Sequence, residues 1–136
     1  MARPKSASKD ELLLGGIELF NGGRFFEAHE LWEDAWKRSE GTERLLYQGL
    51  IHAAAAIIQV RRGNNDGAAS QCGKCIARLG PLAPSFMDLA LGRLLTELRA
   101  FVAANHECKG EGVACAPPII RKSGGRTGTD PTPTAS

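Results

Sequence analysis

The sequence predicts an all-α protein, a single compact bundle of about five helices. Apolar residues recur three and four positions apart in five successive stretches, which is the periodicity of helices with one buried face. Glycine or proline separates each stretch from the next, as expected at short turns between helices. With 43% hydrophobic and 24% charged residues in 136 positions, the chain has the composition of one globular domain. We expect two helical hairpins followed by a closing helix.

Local signals predict where the helices begin and end. Ser8 and Glu11 form a capping box before the first helix, Asn64 or Asn65 caps the fourth, and Ser85 with Asp88 opens the fifth. Glycines at the intervening turns end the helices. The predicted helical ranges are about 9–21, 24–38, 42–62, 66–79 and 86–104.

The helical domain is expected to span residues 9–104. Residues 1–8 precede the first start signal and are expected to be disordered. Residues 117–136 are rich in Pro, Gly, Ser and Thr, a composition that buries too little apolar surface to fold. We therefore expect residues 105–136 to form an irregular to disordered tail.

Two turns have a faint tetratricopeptide-like pattern. Gly23 and Gly63 each stand at a predicted helix-helix turn, and Ala28 and Ala68 follow five residues later. The interval between the two turns is longer than the usual repeat of about 34 residues. The pattern thus indicates local helix pairing and does not establish a solenoid.

The third helix is predicted to be central, because apolar residues cover most of its circumference. Gln48, His52 and Gln59 are the exception and form a narrow polar strip flanked by small residues. The second helix is the expected neighbour of this strip. On it, His29 and Glu33 lie one turn apart at the border of the apolar face. We expect His29, Glu33 and His52 to converge on one partly buried pocket.

A divalent metal ion is the cofactor that such a pocket would imply. An imidazole and a carboxylate four positions apart can share an ion, but two ligands are too few for a stable site. His52 would then complete the set begun by His29 and Glu33. The corresponding function is a metal-dependent enzyme, for example a hydrolase, with Glu30 or Glu33 as the general base.

The alternative interpretation is a polar network without catalysis. Glu33 would orient His29, and the network would extend to Gln48 or Gln59 so that buried polar groups are satisfied. Trp36 is expected to anchor the core beside it. The protein would then be a helical module that binds a small ligand or a protein partner between the second and third helices.

Cysteines provide a second and less favoured candidate site, for zinc. Cys72 and Cys75 form a CxxC pair, and His106, Cys108 and Cys115 would supply the remaining ligands. The second group of proposed ligands, His106, Cys108 and Cys115, contains no CxxC pair. Moreover, Cys72 and Cys75 fall in the apolar stripe of the fourth helix, where free cysteine behaves as a small hydrophobic residue.

Charge and motif content exclude several function classes. The net charge of +2 arises largely at the two ends, so nucleic acid is not an expected partner. There is no run of about twenty apolar residues and no secretory signal, which predicts a cytoplasmic protein without a membrane span. Walker loops, dinucleotide fingerprints and GxSxG motifs are absent from the sequence. A protein partner or self-association remains open.

Three segments carry a resemblance to a known family. They are His29-Glu-Leu-Trp-Glu33-Asp-Ala-Trp36, Gln48-Gly-Leu-Ile-His52, and Gly63-Asn-Asn-Asp-Gly-Ala68. In order and spacing the chain resembles domain-of-unknown-function family 309 over about residues 11–102. That family comprises small, all-helical prokaryotic proteins with an HxxxExx(W/Y) motif, for which metal binding has been suggested. The resemblance implies His29, Glu33 and Trp36 as motif residues, whereas His52 departs from the glutamine usual at its place.

Overall fold

The computed structural model describes residues 7–107 and 116–123, and their fold confirms the predicted all-α class. Helices account for most of it, with one 3₁₀ turn at Gly80–Leu82 and one short hairpin of β1 (Ser85–Phe86) and β2 (Leu89–Ala90). The five helices are α1 (Lys9–Asn21), α2 (Phe25–Lys37), α3 (Gly41–Arg61), α4 (Asn65–Leu79) and α5 (Leu91–Glu107). No helix that the structure describes is long and apolar enough to cross a membrane.

The predicted central position of α3 is what the structure shows. Each helix packs on the next in sequence, and α3 contacts α2, α4 and α5. Leu46, Leu50 and Ile57 of α3 are fully buried in the core that results. Both α2 and α4 pack on α3, but their direct contact with each other is slight at most. One face of α3 is therefore left between them.

The start of α1 follows from the predicted capping box. Glu11 N donates to Ser8 Oγ at 3.1 Å, and Ser8 N donates to Glu11 Oε1 at 2.8 Å. Of the N-terminal residues expected to be disordered, residues 1–6 lie outside the described part of the chain. Ala7 is buried, and Arg38 Nη2 donates to its carbonyl at 2.7 Å. The ordered chain thus begins before the cap.

The predicted start of the fifth helix at residue 86 is wrong, because residues 85–90 form the hairpin. Met87 and Asp88 take φ values of 50° and 64°, as in the two-residue turns that join antiparallel strands. On the open edge, Ala90 N donates to Arg121 O and Ser123 N donates to Asp88 O, at 2.8 and 2.7 Å. The Ser85–Asp88 spacing imitates a helix start, but these long-range partners favour extended backbone.

Within the tail predicted over residues 105–136, residues 116–123 are described by the structure and form an irregular segment packed on the helical domain. This segment lies against α1 and the hairpin, and Ile120 is only 4% exposed. Asn21 Nδ2 donates to Ile120 O at 3.0 Å, and Ile120 N donates to Asn21 Oδ1 at 2.7 Å. Arg121 Nη1 also donates to both carboxylate oxygens of Glu97, at 2.9 Å. The buried Pro118 and Ile120 and these polar bonds hold the segment in place.

Candidate functional site

One face of α3 stays open to solvent through the middle of the helix. Between residues 48 and 60, the half-buried side chains recur three and four positions apart. All the remaining residues in this range are buried. We call this face the open stripe, and its members are Gln48, Ile51, His52, Ala55, Ile58 and Gln59. Because α2 and α4 both pack on α3, the open stripe lies between them.

The polar side chains of the open stripe bond with α4 and its N-cap. The three bonds run from Arg78 Nε to Gln48 Oε1 at 3.1 Å, from His52 Nδ1 to Gln71 Oε1 at 2.7 Å, and from Asn64 Nδ2 to Gln59 Oε1 at 2.9 Å. The sequence predicted α2 as the neighbour of this strip, whereas its hydrogen-bond partners lie on α4 and its N-cap. Long amide and guanidinium side chains on α4 reach α3, whereas α2 turns its apolar face to the core.

The hydrogen bond of His52 determines which ring nitrogen is available. The side-chain oxygen of Gln71 can only accept a hydrogen bond, so His52 Nδ1 carries the proton. In the neutral ring, Nε2 then keeps its lone pair. This atom is the one that a ligand of the open stripe would meet.

His29 and Glu33 lie on α2 as a partly exposed pair. His29 Nδ1 and Glu33 Oε2 are 3.8 Å apart, and their side chains are 25% and 49% exposed. That separation is too long for a hydrogen bond. Phe26, an exposed aromatic side chain, stacks on the His29 ring with 6.4 Å between centroids. The His29 ring therefore has Phe26 on one side and the Glu33 carboxylate nearby.

His52 is surrounded by positive charge. Burial lowers its pKa, the bond to Gln71 opposes this effect, and the charges of Lys74, Arg78 and His29 lower the pKa further. The charged groups that act on His52 are thus cationic, two from α4 and one from α2. With its pKa lowered, the ring is neutral at pH 7.

Acidification is expected to destabilise the fold through His52. Because folding lowers its pKa, the unfolded chain binds the proton more readily. The stabilising contribution is present above the ordinary pKa of about 6.5 and is lost as the pH falls towards the lower folded value. Urea unfolding from pH 8 to pH 5 should show a steeper loss for the native chain than for His52→Gln. The same pH dependence of the free energy of unfolding in both proteins would contradict this assignment. Substitution of the exposed His106 by Gln is the control.

Trp36, the last residue of the HxxxExxW pattern in the sequence, lies beside the first turns of α3. The guanidinium carbon of Arg44 sits 4.0 Å above the centroid of its ring. Among the described residues, Trp36 Nε1 is a buried donor without a partner. Glu30, the other proposed base on α2, is exposed. Trp36 therefore packs beside the N-terminal turn of α3, while Glu30 faces solvent on α2.

The described residues contain no group of three or more His, Cys, Asp or Glu side chains placed to hold a metal ion. His29, Glu33 and His52 are not brought together as such a group. Lys74 and Arg78 also act on His52, so a divalent cation at its ring would be repelled.

The CxxC cysteines lie on the buried face of α4. Cys72 and Cys75 are free, and burial raises the pKa of Cys75 to about 12 and also raises that of Cys72. Buried thiols of this kind are poor nucleophiles and poor metal ligands. His106 is exposed and lines the shallow groove between α4 and α5 that also reaches Cys72. The two other predicted zinc ligands, Cys108 and Cys115, lie outside the described residues.

Sequence reasoning missed the α4 wall of the site. Gln71, Lys74 and Arg78 were not singled out, although their spacing of three and four residues places them on one helix face. It also missed a pocket of about 370 Å³ at the end of the open stripe, lined by Phe26, Ile58 and Arg62 among others. The exposed aromatic side chain of Phe26 beside arginines was the available signal for that pocket.

These features define a small all-helical domain with an open, polar-lined stripe along its central helix. Residues 13–71 match the model of the family described as domain of unknown function (DUF309), so this part of the chain is similar to that family. The match confirms the resemblance seen in the sequence and runs from α1 into α4.

A relative places the domain in a longer chain. The sequence is similar to an uncharacterized protein of Aquifex aeolicus (strain VF5), with 30% identity over 93 residues. The similar region covers 68% of this chain and 27% of that protein. This chain thus spans about a quarter of the length of that relative.

Proposed function

We propose that the protein is a helical binding module that takes its ligand on the open stripe of α3, between α2 and α4. One observation supports the proposal above all others. The central helix is buried on every side except this stripe, and there its polar side chains bond with α4. Fixed polar groups beside apolar surface are the usual lining of a ligand site.

The stripe has both parts that a ligand needs. Apolar surface comes from Ile51, Ala55 and Ile58, which lie on the same helix face as His52. The polar part is His52, whose Nε2 does not take part in the bond to Gln71. Because Gln71 fixes the ring in advance, little rotamer freedom is lost when a ligand binds. The stripe is preorganised on rigid helices and does not depend on a loop.

Metal binding at His29 and Glu33 is a second candidate function. It is favoured by their separation of 3.8 Å at i, i+4 spacing and by the solvent access of both side chains. The ligand itself or water would have to complete the coordination. A metal-dependent hydrolase of this kind would use Glu30 or Glu33 as the base.

Amide chemical-shift mapping of ¹⁵N-labelled protein with a small-molecule library tests the proposal. Ligands are expected to shift the amides of Gln48, His52 and Ala55 together, and Gln71→Ala is expected to weaken their binding about tenfold. The exposed neighbour Ser70→Ala is the matched control on the same turn of α4.

Two results would overturn the binding-module proposal. One is a set of ligands that all map elsewhere, for example to the groove between α4 and α5. The other is binding that Gln71→Ala leaves unchanged. Shifts at His29 and Glu33 that appear on adding zinc alone, and that His29→Ala abolishes, would favour the second candidate instead.

A further inference from the structure

The charges around His52 indicate which class of ligand the open stripe takes. Lys74 and Arg78 lie one turn apart on α4 and share a helix face with Gln71, and Gln71 and Arg78 both bond side chains of the open stripe. Arg78 is already oriented, because its Nε donates to Gln48 Oε1 at 3.1 Å. Its two terminal nitrogens make no side-chain hydrogen bond within the described residues.

We propose that the open stripe binds the carboxylate of an acidic ligand, with Arg78 and Lys74 as the anion-binding side chains and His52 as the third donor. This inference rests on the proposed function and names its ligand. A guanidinium with one edge fixed presents the remaining nitrogens in a plane, which suits the two oxygens of a carboxylate. The exposed Lys74 adds a second positive charge from the preceding turn.

His52 joins the site by taking up a proton. In the free protein its Nε2 has a lone pair, which would repel a carboxylate oxygen. A bound carboxylate offsets the positive charges of Lys74, Arg78 and His29, so the ring can accept a proton from solvent and donate Nε2–H to the ligand. Affinity for the carboxylate should therefore rise as the pH falls from 8 to 6.

Two of the four acidic side chains of α2 lie beside basic side chains. Glu33 is paired with His29 at 3.8 Å, and Glu27 is paired with Arg24. The cations of α4 are left without a carboxylate of their own, since Lys74 makes no ion pair within the described residues and Arg78 bonds an amide. The carbon skeleton of the ligand would lie on the apolar members of the stripe, Ile51, Ala55 and Ile58.

Matched probe compounds that differ only in charge test the inference. Glutarate, glutaramide and 1,5-diaminopentane share a five-carbon skeleton and are titrated into ¹⁵N-labelled protein at constant ionic strength. Glutarate is expected to bind at least about tenfold more tightly than glutaramide, since hydrogen bonds to charged groups are the stronger ones. The diamine is expected not to bind.

Variants assign the preference to the α4 cations. Lys74→Gln/Arg78→Gln should abolish the preference for glutarate, and Arg78→Lys, which keeps the charge but loses the planar fork, should retain part of it. Lys37→Gln/Arg99→Gln removes the same charge from exposed positions elsewhere and should leave the preference intact. The spectrum of each variant reports whether it is folded.

The outcomes separate this inference from the binding-module proposal. If glutaramide binds the open stripe as tightly as glutarate, or if the α4 double variant keeps the preference, the carboxylate site is refuted and the module stands. If none of the probes or library compounds maps to the stripe, both are refuted. A penta-glutamate peptide identifies the source of the carboxylate: tighter binding than glutarate favours a polypeptide, and weaker binding favours a free acid.

Discussion

Replacing Trp32 with alanine is expected to lower the free energy of unfolding by about 3–5 kcal/mol. The side chain is fully buried where α1 and α2 meet, and its Nε1 donates to Leu13 O at 3.3 Å. Its ring lies 5.8 Å from that of Phe20, which in turn packs edge-on against Phe25. Removal leaves a large cavity and deletes the hydrogen bond to Leu13 O, and urea unfolding at pH 7.5 measures the loss.

Trp36→Ala is the matched control for this prediction. It deletes the same side chain from the same helix, one turn later, at a half-buried position. We expect a clearly smaller loss because less apolar surface returns to water and no closed cavity forms. Equal losses for the two variants would contradict the packing of α1 on α2 described here.

Gly49→Ala is expected to destabilise the protein by about 1–3 kcal/mol, although alanine normally favours a helix. A Cβ atom at Gly49 would overlap the side chain of Leu79, and both residues are buried where α3 packs on α4. The clash should outweigh the gain in helix propensity of about 1 kcal/mol. The contact between Gly49 and Leu79 also sets the spacing between α3 and α4, which the side chains of Arg78 and Gln71 span to reach the open stripe.

A second glycine on α4 provides the control. Nothing lies within 4 Å of a Cβ placed at Gly73, so Gly73→Ala should stabilise the protein by up to about 1 kcal/mol. Thermal and urea unfolding of the two variants should thus move in opposite directions. If Gly49→Ala stabilises the protein as much as Gly73→Ala does, α3 and α4 are not in close contact.

Local signals in the sequence were sufficient for most helix ends. The capping box of Ser8 and Glu11 works through residues three positions apart, and its two hydrogen bonds form as the sequence indicates. Ser85 and Asp88 have the same spacing, yet they start a hairpin. The difference lies in Arg121 and Ser123, which pair with the hairpin from more than thirty positions away. A local reading has no access to such partners.

The sequence predicted which residues of α3 form the polar strip, but it did not predict which helix bonds to them. Helical periodicity identified Gln48, His52 and Gln59 as one polar strip, because spacing determines which side chains share a face. It does not determine which helix covers that face. Gln71 and Arg78 could have indicated α4 as that helix, because their long polar side chains can reach the imidazole of His52 and the amide of Gln48.

The most direct test of the account is the protonation state of the His52 ring, measured by long-range ¹H–¹⁵N NMR at pH 7.5. We predict a neutral ring with the proton on Nδ1, held by Gln71 of α4, and a change in this pattern in Gln71→Ala. A proton on Nε2, or a ring that does not respond to Gln71→Ala, would contradict the claim that the polar strip of α3 is fixed by α4.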